Sequence, residues 1–198
     1  MEEKNKKFCS ICTTEMNEQY HKSSLSMFER MIDEIKSCLD NDCPISALSI
    51  ALIIPDMCGK AEYPNEKNRQ RYVKWFNEWI GKYETYEGNE MPYLSGDLVY
   101  SLRCSMLHEG NPTIENGKFN IDNFSLIWSK SKDSYMVGGL SFAKVLINNE
   151  GQRKLQDVFY EVNIMNLIFK ICRCSYVYFK ENKSKFDFLN YKIVEKDF

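Results

Sequence analysis

Arg103 and His108 are the residues of this chain best suited to chemistry, set in the stretch Leu102-Arg103-Cys104-Ser105-Met106-Leu107-His108-Glu109-Gly110. His108 is one of only two histidines present. An imidazole titrates near neutrality and can accept or donate a proton, whereas a guanidinium keeps its charge and offers a fork of donors to an oxyanion. At about 100° per residue, Leu98, Val99, Leu102 and Met106 form one apolar arc, which Tyr100 and Leu107 extend, and Arg103 falls in its middle. A permanent charge on a buried or interface stripe needs a partner anion or a wet cleft, which makes Arg103 a candidate for gripping phosphate. The same residues also read as an ordinary helix end, a basic last turn that suits the dipole, followed by Gly110 and Pro112 as a stop. On a regular helix, residues five apart diverge by roughly 140°. Joint action therefore needs a long arginine and a frayed end at His108, or a two-fold axis that brings two copies of the motif to one cleft.

Helices must position these side chains. Met27, Phe28, Met31, Ile32, Ile35 and Leu39 repeat at helical spacing, and Asn41-Asp42-Cys43-Pro44 breaks the run. A second helix carries Ile45, Leu48, Ala51, Leu52, Ile53 and Ile54, apolar nearly all round and so central, with Pro55 implying a kink or break. Asp56 follows at the edge of this core, either pairing or capping within its own turn or pairing with Arg103. A third helix shows Tyr72, Trp75, Phe76, Trp79, Ile80 and Tyr83, an aromatic face that offers apolar area to a subunit interface. Lys67, Arg69, Arg71 and Lys74 lie on or just before it and are candidate substrate contacts. The fourth helix, about residues 96–109, holds the motif. From 113 to 147 the pattern turns extended, with an Asn116-Gly117 turn signal, Phe124, Leu126 and Trp128 alternating with Ser125 and Ile127, and further strand-like material over 135–147. A long final helix is expected over 151–180, with Leu155, Val158, Phe159, Val162, Met165, Phe169, Cys172 and Tyr176 in phase. Residues 1–20 read as a polar lead-in and 21–198 as a single domain. The fold class is mainly α, a bundle of about five helices with a small β-hairpin or sheet insertion before the last one.

With 198 residues, 43% hydrophobic and 27% charged, the chain can bury a substantial core. A net charge of −2 excludes a general nucleic-acid coat, so any RNA contact must come from a local basic patch. The start, Met1 to Lys7, is charged without an apolar core segment, and the run Ala47–Pro55 is short, so a cytoplasmic protein is expected. Eight cysteines would stay reduced there. Cys9 with Cys12, and Cys172 with Cys174, match no common zinc framework even with His21 added, so neither a metal nor another cofactor is expected. Cys104 and His108 stand four apart, allowing a thiolate–imidazole pair, although no oxyanion hole is recognisable beside them. Lys180, Lys183 and Lys185 form a basic run that bears on RNA only if it lines the same cleft as Arg103.

The segment Tyr100-Ser101-Leu102-Arg103-Cys104-Ser105-Met106-Leu107-His108-Glu109-Gly110-Asn111-Pro112 resembles bacterial members of the HEPN superfamily, whose signature is Arg-x4–6-His at the end of a helix. The resemblance covers about residues 45–112. It implies a small helical protein, in many cases a metal-independent ribonuclease, with a composite site at a homodimer interface. It implies catalytic roles for Arg103 and His108, with Ser105, Asp56, Glu109 and Tyr100 as polar support. The expected reaction is attack of a ribose 2′-hydroxyl, leaving 2′,3′-cyclic phosphate and 5′-hydroxyl ends on RNA. The setting would be defence or a toxin–antitoxin pair, with an antitoxin or other protein as partner. The chain departs from active members at Cys104, where a polar Asn or Asp is common and a thiol bonds weakly. That leaves a second expectation, a catalytically inactive HEPN-like dimer that binds RNA, a nucleotide or a protein. A partner-binding scaffold is a third.

Overall fold

The first helix begins where the sequence supplies a reciprocal cap. In the computed structural model, which describes residues 26–84, 94–110, 115–116, 119–120, 123–128, 141–147 and 153–189, the Ser26 hydroxyl accepts from the Glu29 N–H at 3.3 Å. The Glu29 carboxylate accepts from the Ser26 N–H at 3.2 Å. Helix α1 runs Met27–Asp40. Asp42 then takes a left-handed φ of 55°, and the Cys43 N–H donates back to the Cys38 carbonyl at 2.8 Å, turning the chain into α2, Pro44–Ala51. Helix α3, Ile54–Glu62, restarts after Leu52 and Ile53 with Pro55 in its first turn, where a missing N–H costs no hydrogen bond. The break expected at Pro55 is thus present. The stretch Pro44–Glu62 is as long and apolar as a membrane span, but 56% of it is buried within the chain itself and it forms core.

Helix α4, Asn68–Trp79, is followed by a 3₁₀ turn, Gly81–Tyr83. Helix α5, Gly96–Cys104, passes into a π-helical turn, Ser105–Glu109, which ends at Gly110 with φ 65°. Helix α6 covers Ile164–Glu181, and a 3₁₀ segment, Lys183–Leu189, folds back onto it. Strands β1, Glu115–Asn116, and β2, Phe119–Asn120, pair antiparallel, with Asn116 opposite Phe119. Strands β3, Asn123–Ile127, β4, Ser141–Ile147, and β5, Arg153–Asn163, form a sheet in the order β3-β5-β4, with β3 parallel and β4 antiparallel to β5. The protein is mainly α.

The last helix differs from expectation. It starts at Ile164, and residues 153–163, expected to be helical, are strand β5. Leu155, Val158, Phe159 and Val162 do fit a helical stripe, but Gln156, Val158, Tyr160 and Val162 alternate equally well at period two. Val158, Phe159, Tyr160 and Val162 also favour a pleated surface, and pairing partners on both sides decide the matter. The β region therefore reaches residue 163 rather than ending near 147, and it runs straight into α6.

The aromatic face of α4 also departs from its expected role. Trp75 is fully buried, edge-on to Tyr178 of α6 at 5.8 Å between ring centres and stacked on Trp79 at 6.1 Å. Trp75, with Tyr72 and Phe76, thus fills the chain's own core, while Trp79 is half-buried. Tyr83, expected on the same face, lies beyond the end of α4 and is 71% exposed.

Two glycines set the spacing around α4. A Cβ on Gly59 would sit 2.7 Å from the Arg71 carbonyl oxygen, and one on Gly96 would sit 2.6 Å from the Val73 carbonyl oxygen. Only a hydrogen at each position lets α3 and α5 approach the α4 backbone this closely. That approach brings side chains from α3, α4 and α5 to one point. The lead-in expected over residues 1–20, with Cys9 and Cys12, lies outside the described residues, as does His21.

Candidate functional site

The point where the three helices meet is Asp56, in the first turn of α3. Its Oδ1 accepts from Arg71 of α4 twice, from Nε at 3.1 Å and from Nη2 at 3.0 Å. Asn68, with its amide nitrogen turned to the carboxylate, donates to both oxygens at 2.5 and 3.1 Å. Arg103 of α5 approaches from the other side, its Nη2 3.7 Å from Asp56 Oδ2. That is an ion pair, but too long for a hydrogen bond. The side chains of Arg103, Asp56 and Arg71 are 14, 17 and 18% exposed. Arg103 Nε is buried with no hydrogen-bond partner.

Tyr100, one turn before Arg103, forms the floor. The guanidiniums of Arg103 and Arg69 each lie 5.7 Å from its ring centre. Tyr100 packs edge-on against Tyr72 at 5.2 Å, and the Tyr72 hydroxyl donates to the Leu52 carbonyl at 3.1 Å. Burial raises the hydroxyl pKa of Tyr72, and burial followed by the Cys104 thiol raises that of Tyr100, so both stay protonated at neutral pH. The Cys104 thiol is within hydrogen-bonding reach of Tyr100.

His108 enters through the π turn. The Gly110 N–H donates to the Ser105 carbonyl, five residues back. With about 4.4 residues per turn over this stretch instead of 3.6, the divergence of roughly 140° between positions 103 and 108 narrows to roughly 70°. His108 is exposed at the helix end, and Ser105 is half-buried at the start of the turn. The Glu109 side chain lies outside the described residues.

Asp56 and Arg103, expected as a possible pair, do meet, and they meet within one chain. Arg103 on the apolar arc thus faces an anion of its own chain, but one that Arg71 already holds by two shorter contacts. The other basic residues scatter. Arg69 pairs with Asp97 at 3.0 Å, and Lys74 pairs with Glu66 at 3.0 Å while lying 3.9 Å from the Tyr63 ring centre. Arg69 and Lys74 line an open groove of about 540 Å³, but Glu66 and Asp97 line it too, so it is not a cationic patch. Lys67 is exposed before α4. Of the four candidate substrate contacts, only Arg71 bonds to Asp56, while Arg69 shares the Tyr100 ring with Arg103.

Lys185 donates to Glu62 at 2.6 Å, where the Tyr178 hydroxyl also donates at 2.6 Å. Lys180 and Lys183 lie over the rings of Tyr176 and Phe179. Glu62 stands about 9 Å further along α3 than Asp56, so this basic run belongs to the other end of the helix. Cys172 and Cys174 are half-buried in α6. Among the described residues no three His, Cys, Asp or Glu side chains gather to hold a metal ion.

No family model, no curated protein and no solved structure matches this chain. What the site can do follows from its own residues. A largely covered guanidinium with spare donors can hold the oxygens of a phosphate, and an exposed imidazole such as that of His108, on the following turn, can move a proton.

Asn68 is the participant that sequence reasoning passed over, and Arg71 was named only as a substrate contact, not as the partner of Asp56. Asn68, Arg71, Tyr72, Trp75, Phe76 and Trp79 fall on one helical stripe. The signal that singled out Arg103, a charge lying on an apolar stripe, was present in Arg71 as well.

Proposed function

We propose that this chain is a metal-independent endoribonuclease of HEPN type, acting in the cytoplasm as a homodimer of HEPN-like helical bundles. The observation that supports it most is the π turn that holds His108 just after Arg103, which narrows the angle between the two positions on the helix. In the reaction, His108 takes the proton of a ribose 2′-hydroxyl as its oxygen attacks phosphorus. The P–O5′ bond breaks, and an imidazolium returns a proton to the departing 5′-oxygen. Arg103 holds the nonbridging oxygens as their charge grows. Atoms and protons balance to a 2′,3′-cyclic phosphate and a 5′-hydroxyl. In a two-fold cleft one imidazole serves as base and its symmetry mate as acid, with Ser105 and Tyr100 as polar support. A defence or toxin–antitoxin role suits such an activity, an antitoxin being the protein that covers the cleft.

Two observations favour a second reading, a HEPN-like dimer that binds RNA, a nucleotide or a protein without cleaving. Asp56 already faces Arg103, and Cys104 turns to Tyr100 where active relatives carry a stronger polar group. Incubating the purified chain with a mixed RNA ladder in EDTA separates the two. Cleavage with cyclic phosphate ends is expected, and Arg103→Ala and His108→Ala should each reduce it by about a hundredfold or more with unchanged circular dichroism. Mixing the two variants should restore partial activity if the site is shared between subunits. Cleavage that survives both substitutions, or that needs a divalent ion, refutes the ribonuclease reading.

A further inference from the structure

Asp56 supplies one negative charge to two guanidiniums, in a place where all three side chains are more than four-fifths covered. Among the described residues no second carboxylate pairs with Arg71 or Arg103. One positive charge is therefore left without a counter-charge among the described residues, and its cost is not relieved by bulk water. The charge is not shared evenly. Arg71 gives Asp56 two hydrogen bonds at 3.0 and 3.1 Å, and Asn68 adds its amide. Arg103 stays at 3.7 Å with its Nε buried and unpartnered. The deficit sits on Arg103.

We infer that Arg71 keeps Arg103 available to an oxyanion of the phosphate class, by saturating the one carboxylate that would otherwise close onto it. The inference rests on reading Arg103 as a phosphate-binding group, and it does not require cleavage. Arg71 touches no ligand in this scheme and is a positioning residue. Without its guanidinium, a poorly solvated Asp56 loses its main partner and closes onto Arg103, whose planar fork suits a bidentate pair. The cluster then becomes neutral and the anion loses its attraction. Removing the Asp56 charge as well leaves Arg103 alone and cationic again. The double substitution should thus reverse the single one, which simple loss of packing cannot do.

The test uses the full chain, with inorganic phosphate as probe and the Arg103 Nε–H resonance as reporter in nitrogen-15 NMR, assigned by its loss in Arg103→Ala. Wild type should show a saturable shift. Arg71→Ala should weaken phosphate affinity by about tenfold or more, as expected when a charge a few ångströms away is neutralised in a poorly solvated site. Arg71→Lys, which keeps the charge beside Asp56, should stay within about threefold of wild type, and so should the double variant Asp56→Asn/Arg71→Ala. If Arg71→Ala does not fold, Arg71→Gln keeps the packed stem and replaces it throughout. The inference is overturned by a wild-type resonance that does not respond to about 50 mM phosphate, far above the millimolar dissociation constant of even a weak site. It is also overturned by Arg71→Ala binding as wild type does, or by a double variant as weak as the single. Phosphate binding with the expected pattern but no RNA cleavage would remove the ribonuclease reading alone. RNA cleavage in which phosphate affinity ignores Arg71 would remove this inference alone.

Discussion

Replacing Gly59 by alanine should destabilise the protein by about 1–2 kcal/mol, the balance between a packing clash and a helix-propensity gain. The added Cβ would stand 2.7 Å from the Arg71 carbonyl oxygen, 2.9 Å from its carbon and 3.2 Å from the Tyr72 nitrogen. All three are backbone atoms and cannot rotate away, so α4 must retreat from α3 by roughly half an ångström to regain ordinary contact. A clash with backbone that cannot rotate away falls in the upper part of overpacking costs, about 2–3 kcal/mol, against which alanine regains about 1 kcal/mol over glycine inside a helix. For a chain of 198 residues the net figure corresponds to a fall in Tm of about 2–8 °C. Differential scanning calorimetry measures it directly. The retreat falls on Arg71, so the bonds to Asp56 at 3.0 and 3.1 Å should lengthen and phosphate affinity should drop with stability. A Tm equal to or above that of wild type would refute the reasoning, because alanine would then behave as it does on an exposed helix.

Cys104→Ser should be nearly silent, within about 1 kcal/mol in stability and about twofold in RNA cleavage, because the thiol faces Tyr100 and a hydroxyl can do the same. Loss of cleavage in that variant, together with inactivation of wild type by iodoacetamide, would instead establish the thiol as nucleophile. Lys185 and the Tyr178 hydroxyl hold the Glu62 carboxyl below the usual carboxylate range. The pair therefore contributes stability in full above the unfolded pKa of about 4.3, and loses it as pH falls through the lowered folded value. The urea midpoint of wild type should exceed that of Glu62→Gln at pH 6 and converge on it below about pH 4. A gap that is constant from pH 6 to pH 3 would rule out that role for Glu62.

Helices α1, α2, α4 and α5 were legible because their apolar spacing is helical and the breakers between them are local, as at Asn41 to Pro44 and at Pro55, whereas α3 beyond Pro55 was not read as a helix of its own. Strand β5 was not, since Val158 and Val162 satisfy both periods, and the choice between them depends on strands β3 and β4 that lie far off in sequence. The π turn left no mark in composition. Ser105 to Glu109 are residues that a regular helix also accepts, and the wider turn shows only in the Gly110 N–H reaching Ser105.

The site itself was half legible, for a reason that bears on its chemistry. Arg103 drew attention because it interrupts an apolar arc, while Arg71 was grouped with Lys67, Arg69 and Lys74 as one more surface charge. Counting charge along the chain hides what counting it by helix face reveals. Arg69 and Lys74 point outward to Asp97 and Glu66, and each is matched. Arg71 and Arg103 point inward from neighbouring helices toward the same acid, Asp56. Carried through on both stripes, the rule that a covered guanidinium needs an anion asks for two anions at this point, and the described residues supply one. On the proposed reading, the missing anion is the place that a substrate phosphate would fill, and a cluster with two anions would be a strut alone.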